Sequence, residues 1–352
     1  MVNEDFRVTY RRKLRLNMLV VIIGIILGIV TILLSVTVGD YPLSFSKAYQ
    51  IIADHIMGKE LTTYVERLED FIVVDLNLSH AVGAILVGAV LSVGGAAMQL
   101  MLRNPLADSY TLGISSGASF GVTLFIVYGI TIVPMSSMIT GQIVNAFVFS
   151  LIPMAAILFI SVVRKTSPTM TILVGVALMY IFSAGTTLMK VSAAPSKLAE
   201  AYRWGIGNIG DIGWENMPVV LFAAAMSCGF LLFYWRTLNV LSIGRNQTLS
   251  LGVNYSRSSA LVMLVVSLST AMVVCFTGTI GFVGLVCPHL SRLFVGPNAR
   301  YLIPTSAIMG ALVLLGSDII ARSVSLPVGV ITALIGAPVF LFFLLKMRKN
   351  EW

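Results

Sequence analysis

The chain has 352 residues, 57% of them hydrophobic and only 11% charged, with a net charge of +8 from 23 basic and 15 acidic residues. Globular domains carry about 25% charged residues, so this composition excludes a soluble enzyme, a disordered chain and a nucleic-acid binder. It describes an all-α polytopic membrane protein, with apolar residues enough for about ten membrane helices of about 20 residues each.

Residues 1–16 form a basic tail carrying Arg7, Arg11, Arg12, Lys13 and Arg15. The apolar run that follows, 17–38, is longer than a signal-peptide core and has no small-residue cleavage pattern after it, so it reads as a retained first span. An acidic stretch, 39–78, holds Asp40, Asp54, Glu60, Glu66, Glu69, Asp70 and Asp75 against three bases. Further apolar runs cover 79–102, 111–130, 138–163, 169–190 and 217–235. Segment 236–257 is more polar, with Leu238, Leu241, Ile243, Leu249, Leu251 and Val253 in amphipathic order and Gly244 and Gly252 as breaks, a pattern of two short surface helices. Four more runs follow at 258–277, 279–296, 301–320 and 327–345. Pro288 interrupts the eighth and predicts a short or bent helix.

Ten spans put both termini on one side. With that side cytoplasmic, the inside segments carry 16 bases against four acids, and the outside seven against eleven. This is the asymmetry the positive-inside rule demands, and it places the chain as one multi-pass domain, 1–352, in the cell (cytoplasmic or inner) membrane. The acidic stretch is then extracytoplasmic and 236–257 cytoplasmic.

Catalytic and energy-coupling signals are sparse. No G-x-x-x-x-G-K-[S/T], H-E-x-x-H or G-x-S-x-G occurs, and the three cysteines, Cys228, Cys275 and Cys287, share no metal-ligand spacing. The one carboxylate inside a span is Asp318, with Arg322 four residues on as a helical partner. An ATPase-independent carrier or a membrane-embedded enzyme is the alternative reading, and these absences count against it. Uphill movement would draw its energy from another subunit. Glycines at four-residue spacing (Gly24 and Gly28; Gly113, Gly117 and Gly121) and at three-residue spacing (Gly278, Gly281 and Gly284) suit close helix approach.

Three segments carry more than membrane physics: RNPLADSYTLGISSGASFG at 103–121, GTIGFVGLVCPHLSRLFVGPNAR at 278–300, and SDIIARSVSLPVGVITALIGAPVFLFFLLK at 317–346. Together with LNVLSIG…SLGV at 238–253 and Trp204-Gly205, they resemble the permease subunits of ABC importers for iron-siderophores, haem and cobalamin, the FecCD-type family. The resemblance covers about 17–346. It implies a cobalamin-importer-permease-like (type II ABC importer) fold with ten spans, a second permease copy or related permease, two ABC ATPase subunits that bind ATP and Mg, and an extracytoplasmic substrate-binding protein. No cofactor or metal is implied on this chain, and no nucleic-acid partner; a ferric siderophore is the first-choice cargo.

Residue roles follow by motif position. Leu241, Gly244, Arg245, Leu251 and Gly252 lie in the segment that resembles the ATPase-coupling helices. Asn104, Pro105 and Leu106 match one part of the cytoplasmic gate, and Thr166 and Ser167 stand at the other. Pro288, His289 and Arg292 match the family's P-H-x-x-R block. Met179, Ser183 and Thr187, four residues apart on the fifth span, are expected to line the path. Two departures stand out. Asn77, Leu78, Ser79 and His80 occupy the place of the family's R-L-P-R, which puts the usual docking polarity with the binding protein in doubt. Gly244-Arg245 replaces a common G-E, so an acidic contact with the ATPase would be absent or reversed.

Overall fold

The computed structural model describes residues 2–39, 41, 43–133, 137–164 and 167–346; Asp40, Lys165, Thr166, Arg348 and Lys349 lie outside them. The described chain is helical, with no strand: α1 (Val2–Thr37), α2 (Phe45–Ile56), α3 (Tyr64–Asp70), α4 (Ser79–Leu102), α5 (Ile114–Tyr128), α6 (Met138–Arg164), α7 (Pro168–Val191), α8 (Pro195–Ile206), α9 (Met217–Phe233), α10 (Trp235–Leu241), α11 (Arg245–Ser250), α12 (Tyr255–Thr277), α13 (Val283–Val295), α14 (Ala299–Ser323) and α15 (Val328–Lys346).

Each of the ten apolar runs falls on a helix. Six helices are long and apolar enough to cross a membrane, and the bent pair α9–α10 would make a seventh. The other three, α5, α13 and α15, are apolar but shorter. Two of them are trimmed by left-handed backbone at their ends: Gly113 (φ +87°) and Gly129 (φ +71°) bound α5, and Phe282 (φ +68°) precedes α13. Hydropathy cannot see such stops, which is why the runs read longer than the helices.

α4 is the spine. It packs against α14, α13, α9 and α12, and its glycines let backbones meet. A Cβ on Gly88 would sit 2.3 Å from the Gly310 carbonyl oxygen, and one on Gly95 only 1.7 Å from that of Gly284. Around it lie two apolar cores. One includes Val87, Leu91, Val274 and Leu314; the other includes Met98, Leu238, Val262 and Leu302. Of the expected glycine contacts, Gly117 and Gly121 meet the carbonyls of Phe149 and Asn145, and Gly24 meets Ile308, whereas Gly28 and Gly281 face open space.

The acidic stretch departs from the expected loop. It folds as α2 and α3, and a stretch of π-helix, Phe71–Leu78, carries α3 without a break into α4. Four of its described acids have partners within the stretch. Glu69 pairs with Lys47, Asp70 with His55 (2.9 Å), Asp54 with Lys59 (2.7 Å), and Glu66 accepts the Thr63 N–H at the start of α3. Pairing neutralises much of the acidity that the sequence displays.

Candidate functional site

The coupling segment is a built knob. α10 turns 67° away from α9, and Leu238 and Leu241 are fully buried beneath it. Asn239 stitches α10 to the start of α14, donating to Asn298 Oδ1 (3.0 Å) and accepting the Ala299 N–H (2.8 Å). The chain then reverses at Gly244 (φ +109°), a conformation that favours glycine. The Thr248 hydroxyl, fully buried, lies within hydrogen-bond distance of the Val240 and Gly244 carbonyls (2.8 and 2.6 Å) and holds α11 against α10. Gly252 (φ +76°) ends the unit. What remains outside mixes apolar and polar residues: Ile243, Leu249 and Leu251 are 45, 52 and 60% exposed, and Asn246, Gln247 and Ser250 are exposed among them. Leu241 is therefore an anchor of the knob, and Leu251 is part of its surface.

Beside the knob, residues far apart in sequence meet. α4 ends at Arg103 in left-handed backbone (φ +51°), and the Asn104 side chain accepts the Leu106 N–H (2.9 Å), setting the turn at Pro105. Gln99 joins this turn to α13: its Nε2 donates to the Leu285 carbonyl (3.1 Å), and its Oε1 faces Arg292 Nη2 at 3.4 Å. His289 sits edge-on to Phe343, with ring centroids 5.9 Å apart. Asn104, Pro105, His289 and Arg292 thus share one cavity of about 550 Å³, with Ser242 of the coupling segment on its wall. Ser167 caps α7, accepting the Met170 N–H (3.2 Å); Thr166 is outside the described residues.

Asp108, in the turn between α4 and α5, carries no assignment from sequence. It is buried, its carboxylate accepts the Thr111 N–H (2.8 Å), and its own N–H meets Thr111 Oγ1 (3.2 Å). Burial outweighs these bonds and pushes the carboxyl up to about 6.

Met179, Ser183 and Thr187 lie on walls of two adjoining cavities between α5, α7 and α8, of about 510 and 360 Å³. Ser183 and Thr187 line the larger and Met179 the smaller. α8 itself, with 207–216 after it, was not anticipated from sequence. Its backbone is held by glycine contacts: a Cβ on Gly278 would lie 2.1 Å from the Trp204 carbonyl oxygen, and one on Gly329 1.8 Å from that of Ile206.

At the opposite end from the knob, Asp318 is fully buried between Arg322 (2.9 Å) and His80 (3.4 Å). Arg322 also donates to the carbonyls of Ser35 (3.1 Å) and Val38 (2.6 Å), to Asn77 Oδ1 (3.1 Å) and to Ser35 Oγ (2.6 Å). Asn77 and His80, at the R-L-P-R position, are thereby turned inward as parts of this network rather than offered to a docking partner. Such a locked set of charges suits a clamp, not an ion that must come and go. Among the described residues no three His, Cys, Asp or Glu side chains gather as a metal site.

Residues 25–346 match the FecCD transport family. The chain is 38% identical over 276 residues to the cobalamin import system permease protein of Halobacterium salinarum, covering 78% of this chain and 73% of the relative. It is 32% identical over 336 residues to the molybdate import system permease protein of Haemophilus influenzae, covering 92% and 95%. Among solved structures, an inward-facing conformation of a metal-chelate type ABC transporter superposes with a TM-score of 0.80 at 29% identity, over 93% of this chain and 99% of that one.

Proposed function

The chain belongs to the FecCD transport family, and from that premise we propose that it moves a metal chelate across the cytoplasmic membrane after an external binding protein delivers it. It is the multi-pass permease subunit of an ABC importer and not an enzyme; ATP hydrolysis belongs to a separate ATPase. In the proposed assembly two permeases, copies of this chain or relatives, enclose the path, and two ATPases sit below them. Ten helices cross the membrane with both termini inside, as the charge asymmetry favours. A ferric siderophore is the first-choice cargo, with haem and cobalamin next.

The knob carries this reading. A subunit driven by a partner's ATP cycle needs a rigid projection with apolar side chains on its surface, and the knob offers Ile243, Leu249 and Leu251 there. Closure of the ATPases would bring two such knobs together, and the turn at 103–106 and α13, which share a cavity with Ser242, would move with them. The Arg245 side of the knob suits an acidic ATPase groove.

Leu251→Asp tests the coupling. Leu251 is exposed, so the chain should fold and assemble, while ATP-driven uptake falls at least about tenfold and basal ATPase continues. Unchanged uptake would overturn the coupling role.

A further inference from the structure

The relatives differ in cargo, so the wall of the cavity must say more than the family does. The two cavities between α5, α7 and α8 share Ser116, Ser119, Lys190 and Tyr202 as lining. Lys190 is half-buried and forms no ion pair among the described residues; its ammonium lies 4.3 Å from the centre of the Tyr202 ring. Among the described residues no carboxylate lines either cavity. Tyr110 Oη accepts the Ile280 N–H (3.1 Å), which leaves its own O–H to donate into the smaller cavity. Ser119 and Ser183 commit their hydroxyls to no backbone carbonyl, unlike Thr187, which donates to Ser183 O (2.9 Å).

An unpaired ammonium, a phenol and two free hydroxyls give a donor-rich wall with one positive charge and no compensating acid. A cation entering there meets repulsion from Lys190. An anion supplies the counter-charge that Lys190 lacks, and its oxygens accept what the hydroxyls offer. We infer that these cavities form a receiving station for an oxygen-rich anion, with Lys190 its charge-selecting residue. This rests on the permease reading above: the cargo is an anionic chelate or oxometallate rather than a neutral or cationic one.

The test uses the complete importer in proteoliposomes, carrying Ser183→Cys and compared with the same chain without it. Rates of labelling by an anionic sulfonate thiosulfonate reagent and by a cationic trimethylammonium one are measured. The inference expects the anionic reagent to be favoured, the preference to fall about tenfold in Lys190→Met, and Lys190→Arg to retain it. Protection by ferric citrate would assign an anionic chelate and protection by molybdate a bare oxometallate, each upholding the inference. Equal protection by neutral cyanocobalamin, or none by either anion, would overturn it. A preference indifferent to Lys190, with labelling still changed by ATP and vanadate, would overturn the anion station alone. Labelling that ignores ATP and vanadate would overturn the path reading beneath it and the cargo assignment with it.

Discussion

α4 and α7 are both 24 residues long and both apolar, yet nineteen residues of α4 are buried and only four of α7. The difference lies in side-chain size. α4 is rich in Gly, Ala, Ser and Val, and its glycines admit the backbones of α13 and α14. α7 carries Leu173, Tyr180, Ile181 and Leu188, all more than half exposed, on one side and Ser183, Thr187 and Lys190 toward the cavities on another. Hydropathy marks both as spans. Small residues decide which becomes the fixed spine and which the wall that meets lipid, partner or cargo.

That contrast can be broken at the spine first. Gly95→Leu would drive a side chain into the Gly284 carbonyl, where neither backbone can yield, so no monodisperse protein is expected on size exclusion. Recovery at wild-type yield would show that α4 is not the rigid element described here. Next comes the clamp that ties α14 to α1 and to the helix leading into α4. Arg322→Met leaves the buried Asp318 with only His80 beside it, and stability should fall by about 3–5 kcal/mol. The pair Asp318→Asn with Arg322→Met should regain part of that loss in thermal unfolding. Asp318→Asn alone should lower stability while uptake per folded molecule persists; a dead but stable carrier would instead favour ion coupling.

Asp108 gives a smaller, pH-dependent effect just beyond α4. Its folded carboxyl titrates at about 6, above the ordinary carboxylate range, so the folded chain holds the proton more tightly than the unfolded one. Stability therefore falls as pH rises from about 4 to about 6, and the effect is level above that. Asp108→Asn keeps an acceptor for the Thr111 N–H and removes the buried charge. Its advantage in unfolding free energy over wild type should grow from near zero at about pH 4 to roughly 2–3 kcal/mol above about pH 7; an advantage that does not change with pH would contradict this. On the α7 side, Leu188→Ala should change stability by no more than about 0.5 kcal/mol in detergent.

Much of this was legible in the sequence, and the physics says why the rest was not. Every apolar run became a helix, because a long run leaves the backbone no other way to satisfy itself in lipid. Asp318 and Arg322 were readable as a pair because four residues is one helical turn. His80 was not, lying 238 residues from Asp318. The acidic stretch misled because a hydropathy window sees Glu69 and Asp70 but not Lys47 and His55, their partners 22 and 15 residues earlier. α8 escaped because it is short, polar on one side and held by contacts with Gly278, just after α12, and Gly329 of α15 that no local pattern records. At the candidate site, motif order pointed to the turn at 104–106 and to Pro288, His289 and Arg292 separately. Their shared cavity required the fold, since Gln99 is what joins them. Lys190, one turn beyond Thr187, lay on the helical face already singled out, and only the absence of a paired acid gives it meaning.

The central claim is that this chain is the membrane half of an ATP-driven machine. The most direct test is to isolate it from its native membrane in mild detergent and identify what accompanies it by mass spectrometry. The account predicts an ABC ATPase in equal amount with the permease, retained in Leu251→Asp although uptake fails, together with an extracytoplasmic binding protein whose bound ligand is an oxygen-rich anion. Recovery of the chain alone in several detergents, with no ATPase, would contradict it.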